Sequence, residues 1–211
     1  MKRSMMGEKK YPANPWLYLP LAMDTEDQSG NHRSVITRDI SFKNNYAVFN
    51  GRSTYLDTGY VIKPSIRACT IVFWMKIQEL YSGFTYIMAS LYGKPDPSWQ
   101  SYMYGTYIDS KRLIRSWAYG GVMYDANVAD FPILDYCKYS FVYSPKNSRL
   151  YINDKLASQG GPGTKAADTT LAFNCRRAYQ NDYYEYSKIE LSNLFIYDRE
   201  LTEQEMKSIK F

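Results

Sequence analysis

The sequence is poor in the residues that most often carry chemistry. It has one histidine, His32, and three cysteines, Cys69, Cys137 and Cys175, in 211 residues. His32 sits between Asn31 and Arg33 in a polar stretch, and a lone histidine there has no partner for a nucleophile–base pair. No Gly-x-Ser-x-Gly, no His-Glu-x-x-His and no phosphate-binding loop occurs. The cysteines are far apart and never spaced Cys-x-x-Cys, which excludes the usual zinc and thioredoxin patterns. Each is expected to fill a buried strand position as a small apolar side chain.

Long apolar runs are also missing. None approaches the ~18 residues that a membrane-spanning helix needs. The basic start, Met1–Lys10, is followed by no apolar segment. No secretory signal is therefore expected, and synthesis in a cytoplasm is. There is no Gly/Ser/Pro-rich linker and no charge block, so residues 16–211 are expected to form one domain behind an arm of residues 1–15. A domain of this size buries roughly 70% of its unfolded surface without covalent staples.

An excess of charge of one sign is scarce outside the arm. Of the net charge of +5, residues 1–10 supply +3, from Lys2, Arg3, Lys9 and Lys10 against Glu8. A nearly neutral body argues against nucleic acid as the main partner. The arm reads either as a solvated tail or as a docking peptide that orders on a partner.

What the chain does have is tyrosine, 22 of them, and short β-type runs between turn signals. Tyr46–Phe49 precedes Asn50-Gly51; Tyr139–Tyr143 precedes Ser144-Pro145; Ser148–Ile152 precedes Asn153-Asp154. In the run from Cys69 to Ile77, alternation puts Ile71, Phe73, Met75 and Ile77 on one side, the expected core face. Trp74 lies on the other side with Thr70, Val72 and Lys76, and its environment stays open at this point. Near the C-terminus, Leu191, Asn193 and Phe195 alternate with Ser192, Leu194 and Ile196. Thr202 then opens a short helix with Glu205 placed for a capping box.

That closing strand, turn and helix resembles the end of laminin-G-like domains of the concanavalin A-like lectin/glucanase superfamily. Four further passages resemble the same family in its order: Trp16–Leu21 with the loop Asp24 to Asn31, Tyr46–Asp57, Cys69–Lys76, and Tyr139–Tyr143 with Leu150–Leu156. The resemblance implies an all-β jelly-roll sandwich of two antiparallel sheets with a short C-terminal helix. It also implies a candidate Ca²⁺ site, for which Asp24, Asp27, Ser29 and Asn31 offer hard oxygen ligands. Ser192 and Asn193 stand where many relatives carry acidic residues, which removes charge from such a site. Glycoside hydrolases of this fold pair carboxylates on one strand. The nearest candidates here, Asp182 and Glu185, would face opposite sides of a strand, so no enzymatic activity is expected.

The tyrosine-rich stretches supply the other candidate surface: Tyr102, Tyr104 and Tyr107; Trp117, Tyr119 and Tyr124; Tyr183, Tyr184 and Tyr186. Aromatic faces suit sugar stacking, a protein interface or plain sheet packing, and sequence leaves all three open. The expectation is a non-enzymatic virion decoration protein of a bacteriophage. Its lectin-like domain would dock on other virion proteins through the arm, and would meet host glycans or further copies of itself. The alternative is a soluble carbohydrate-binding protein independent of any particle.

Overall fold

Strand β6 (Cys69–Ile77) is built from β-branched and aromatic side chains, and its length lets it pair on both edges. On one side it pairs antiparallel with β11 (Cys137–Tyr143), with Phe73 opposite Tyr139. On the other it pairs with β17 (Ile189–Tyr197). The sheet continues beyond β11 through β12 (Ser148–Ile152) and β13 (Lys155–Gly160). Beyond β17 it continues through β4 (Tyr46–Val48) and β3 (Ser41–Lys43), while β1 (Leu17–Leu19) also pairs with β17. This computed structural model describes residues 11–64, 66–91, 103–118, 122–162, 167, 169–177, 183–184 and 186–211.

The second sheet runs β10 (Val122–Asn127), β9 (Leu113–Ala118), β8 (Met103–Ile108), β7 (Thr85–Leu91), β14 (Ala172–Phe173), β5 (Tyr55–Asp57), β2 (Ile36–Arg38). Its pairings are also antiparallel, and a two-stranded ribbon, β15 (Arg176–Arg177) with β16 (Tyr183–Tyr184), lies apart from both. The chain is therefore an all-β jelly-roll sandwich, as its sequence pattern implied.

The core lies between the sheets and takes the expected side of β6. Ile71, Phe73, Met75 and Ile77 meet Tyr139, Phe141, Leu150 and Ile152 of their own sheet. From the opposing sheet come Leu56, Ile87, Tyr104, Ile114 and Phe173. Val72 and Trp74 face outward into a second apolar cluster with Tyr197, Leu201, Met206 and Ile209, which settles the environment of Trp74. All three cysteines are buried, and none is joined in a disulfide.

The strict alternation expected in the last strand does not hold. Its register against β6 shifts between Ser192 and Phe195, and Asn193 takes a positive φ of 47°. The bulge puts Leu191 and Leu194 on the same inner face, with Phe195 and Tyr197 on the outer one. Turn chemistry reads as expected elsewhere. Asn153 and Asp154 both adopt positive φ (50° and 64°) between β12 and β13. Gly51 has φ 73°, and a Cβ there would collide with the Tyr81 hydroxyl.

Helix α1 (Glu203–Ser208) caps the outer cluster, and its capping box forms between Thr202 and Glu205. The Glu205 carboxylate accepts from Arg199 Nη2 at 2.7 Å and from the Thr202 amide at 2.9 Å. The Arg199 contact, aided by Thr202, lowers its pKa from 4.5 to about 2. The folded pKa lies below the unfolded one, so the stabilisation is complete above about pH 4.5 and fades as pH falls towards about 2. A Glu205→Gln variant should lose less melting temperature than the parent across that window, as thermal melts at stepped pH will show.

Tyr11 and Pro12 fall within the arm defined by sequence, yet they pack on the sandwich. The Tyr11 ring lies 5.0 Å from that of Phe195, and the Tyr197 hydroxyl donates to Pro12 O at 3.1 Å. Lys2, Arg3, Lys9 and Lys10 lie outside the described residues.

Candidate functional site

Alternation along β8 and β9 divides their side chains between core and solvent. Ile114, Ser116 and Ala118 are buried, while Arg115 and Trp117 are half-buried on the outer face. Tyr107 stands opposite Arg115, and the small residue Gly105 stands opposite Trp117. Tyr86 of β7 is paired with Tyr107. The result is an aromatic row on the outside of the second sheet. Phe84, 45% exposed, meets Tyr107 edge-on at 5.1 Å, and Tyr107 lies 6.5 Å from Trp117 with rings 29° apart.

Charge borders this row. Asp109 closes the β8–β9 turn by accepting from the Lys111 and Leu113 amides, both at 2.9 Å. Its other oxygen holds Arg115 Nε at 2.6 Å, and Arg115 also reaches Asp125 at 3.8 Å. Burial would raise the Asp109 pKa, but the Leu113 amide and the Arg115 charge outweigh it and hold the carboxyl low. Asp109 is therefore a fixed anion that orients Arg115 beside Tyr107. Paired strands support every member of the group except Phe84 and Asp109, which flank strand ends.

The opening loop arranges its oxygens differently from a metal cage. Asp27 accepts from the amides of Tyr18 (3.0 Å), Ser29 (2.9 Å) and Arg33 (2.9 Å), and from Ser29 Oγ (2.8 Å). Burial pushes its pKa up, and these hydrogen bonds, led by the Arg33 amide, overcome that and leave it lowered. Asn31 turns its Nδ2 to Pro15 O and Trp16 O at 3.0 and 3.1 Å. Asp24 accepts from the Glu26 amide at 3.0 Å. Asp27 thus organises the loop backbone. Among the described residues no three His, Cys, Asp or Glu side chains converge as a metal group. His32 is exposed at φ 53°.

No protein-family model and no curated protein matches the sequence. Solved structures do. A Trypanosoma rangeli sialidase in complex with sialic acid is 14% identical, with a TM-score of 0.73 over 96% of this chain and 33% of that one. A second structure of that sialidase, bound to a difluoro-KDN, is 16% identical at a TM-score of 0.72 over 92% and 32%. The binding domain of botulinum neurotoxin serotype D is 14% identical at a TM-score of 0.63 over 92% and 50%. What these proteins share with the chain is the β-sandwich fold.

At these identities the likeness is one of fold, and the sandwich spans about a third of the sialidases' length. The expectation that the chain lacks enzymatic activity is nevertheless overturned as a reading of its resemblances, because several of the similar structures are enzymes. The absence of paired carboxylates was its main support, and the candidates Asp182 and Glu185 lie outside the described residues.

The sandwich sorts the sequence-derived aromatics into different places. Tyr107 and Trp117 come together on the outer face. Tyr104 does not join them: one residue from Gly105, it points inward, is fully buried, and meets Tyr143 edge-on at 5.2 Å. Tyr186 packs elsewhere, against Tyr55, Ala172 and Cys175. Tyr124 lies on β10 and Tyr183 and Tyr184 on β16, their side chains outside the description, as are Tyr102 and Tyr119 altogether. Sequence reasoning missed Phe84 and Arg115. Arg115 carried a usable signal, since it precedes Trp117 by two residues and so shares its face.

Proposed function

We propose that this sandwich is a saccharide-binding domain of the laminin-G-like type, whose contact surface is Phe84, Tyr107 and Trp117 with Arg115 beside them. One observation carries the reading: aromatic rings and a fixed Asp109–Arg115–Asp125 charge group share one outward sheet face. Rings offer flat apolar area to sugar C–H faces, and the charged groups offer donors and acceptors to hydroxyls. The fold likeness to sialidases and to a toxin binding domain supports it, as does the order of the sequence motifs. Nothing in the described residues favours display on a phage particle over action as a free domain, and the proposal is therefore the free saccharide-binding reading.

The test is a glycan array probed with the full chain, followed by calorimetric titration of the best binder. Trp117→Ala should weaken that binding at least tenfold, about 1.4 kcal/mol. Trp117→Phe should retain most of it, with both variants melting near the parent. An array with no binder, or a binder indifferent to Trp117→Ala, would overturn the assignment.

A further inference from the structure

A second cleft lies at the opposite place in the chain's logic, where the opening segment, the loop after it and the last turn meet. About 520 Å³ in volume, it is lined by Asn14, Trp16, Asn31, Arg33, Arg67 and Asp198, among others. No two of its walls are close in sequence except Asn14–Trp16 and Asn31–Arg33. The guanidinium carbon of Arg33 sits 3.8 Å over the Trp16 ring, and its Nε donates to Trp16 O at 2.8 Å. Those two contacts, with the Arg33 amide held by Asp27, fix the plane of the group. They leave both terminal nitrogens for a planar acceptor.

The facing wall is arranged around Asp198. Its two oxygens accept from Tyr60 Oη at 2.9 Å and from Arg67. Tyr60 in turn meets Trp16 edge-on at 4.8 Å, so both walls share one aromatic support. Two arginines therefore face one carboxylate that is already engaged, and the cleft keeps an excess of positive charge. Asn14, Ser29 and Asn31 add neutral polar surface suited to hydroxyls.

We infer that this cleft binds an acidic saccharide, its carboxylate taken bidentate by Arg33 and its ring hydroxyls by the asparagine-lined wall. The site is separate from the aromatic row of the second sheet and stands or falls independently of it.

Nuclear magnetic resonance titration of the full chain with glucuronate, glucose, acetate and inorganic phosphate tests it. Glucuronate should shift the Trp16 indole signal at least tenfold more tightly than glucose or acetate. Arg33→Gln should weaken glucuronate at least tenfold. Arg67→Gln, on a side chain 60% exposed, should keep the fold and weaken it by a smaller factor. Equal affinity for acetate or phosphate would reduce the cleft to a simple anion site and overturn the inference. So would glucuronate binding that ignores both arginine substitutions.

Discussion

Phe73→Ala is expected to cost about 4 kcal/mol of folding stability, the largest effect of any single change considered. Phe73 is fully buried at the centre of the sandwich. Its ring stacks with Tyr139 at 5.4 Å and Phe141 at 5.9 Å, and meets Phe173 of the opposing sheet at 5.1 Å and 88°. Truncation removes the ring that spans the gap between sheets. The site cannot collapse into the space, because β6 is hydrogen-bonded on both edges to β11 and β17. Urea unfolding followed by tryptophan fluorescence checks this through the midpoint at unchanged slope. A loss under about 2 kcal/mol would mean that the neighbouring rings repack.

Lys138→Met should be the second largest, about 3 kcal/mol, although it replaces a charge with an isosteric apolar chain. Lys138 is only 5% exposed, on the outer side of the first sheet. Its ammonium donates to Asp154 at 2.8 Å and to the carbonyls of Met206 and Ile209 at 2.5 and 3.0 Å, close above Trp74. The helix has no glycine cap, and this lysine satisfies carbonyls at its end instead. Methionine would leave both acceptors without that donor while keeping the packing against Trp74. The control is Asp154→Asn, which removes the ion pair but leaves the carbonyls bonded, and it should cost less than about 1 kcal/mol. If the two variants proved equally costly, the ion pair rather than the helix clamp would be the stabilising element.

The sheet core was legible because its signals are local. Alternation in β6, the Asn153-Asp154 reversal and the Thr202–Glu205 box each depend on a few consecutive residues and on backbone sterics. The bulge in β17 was not, because a one-residue register shift is decided by what β6 and the Pro20 carbonyl, which accepts from the Asn193 amide at 3.0 Å, demand of it. The aromatic surface was half legible. Tyrosine composition pointed to it, but Tyr104 and Tyr107 lie on opposite faces of one strand, and composition has no face. The Arg33–Asp198 cleft was invisible, since its walls meet only once the last strand has closed on the first, with Trp16 N donating to Ile196 O at 2.6 Å.

The buried, unlinked cysteines have a consequence for what holds such a domain together. Burial lifts the Cys69 thiol to about 12 and raises that of Cys137 as well, which keeps both in the unreactive thiol form. Nothing in the sandwich gains or loses a covalent tie when the surrounding glutathione balance changes. The native sandwich therefore draws none of its stability from a disulfide. Cohesion of the fold thus rests on the packing between its two sheets, with no covalent cross-link holding them together.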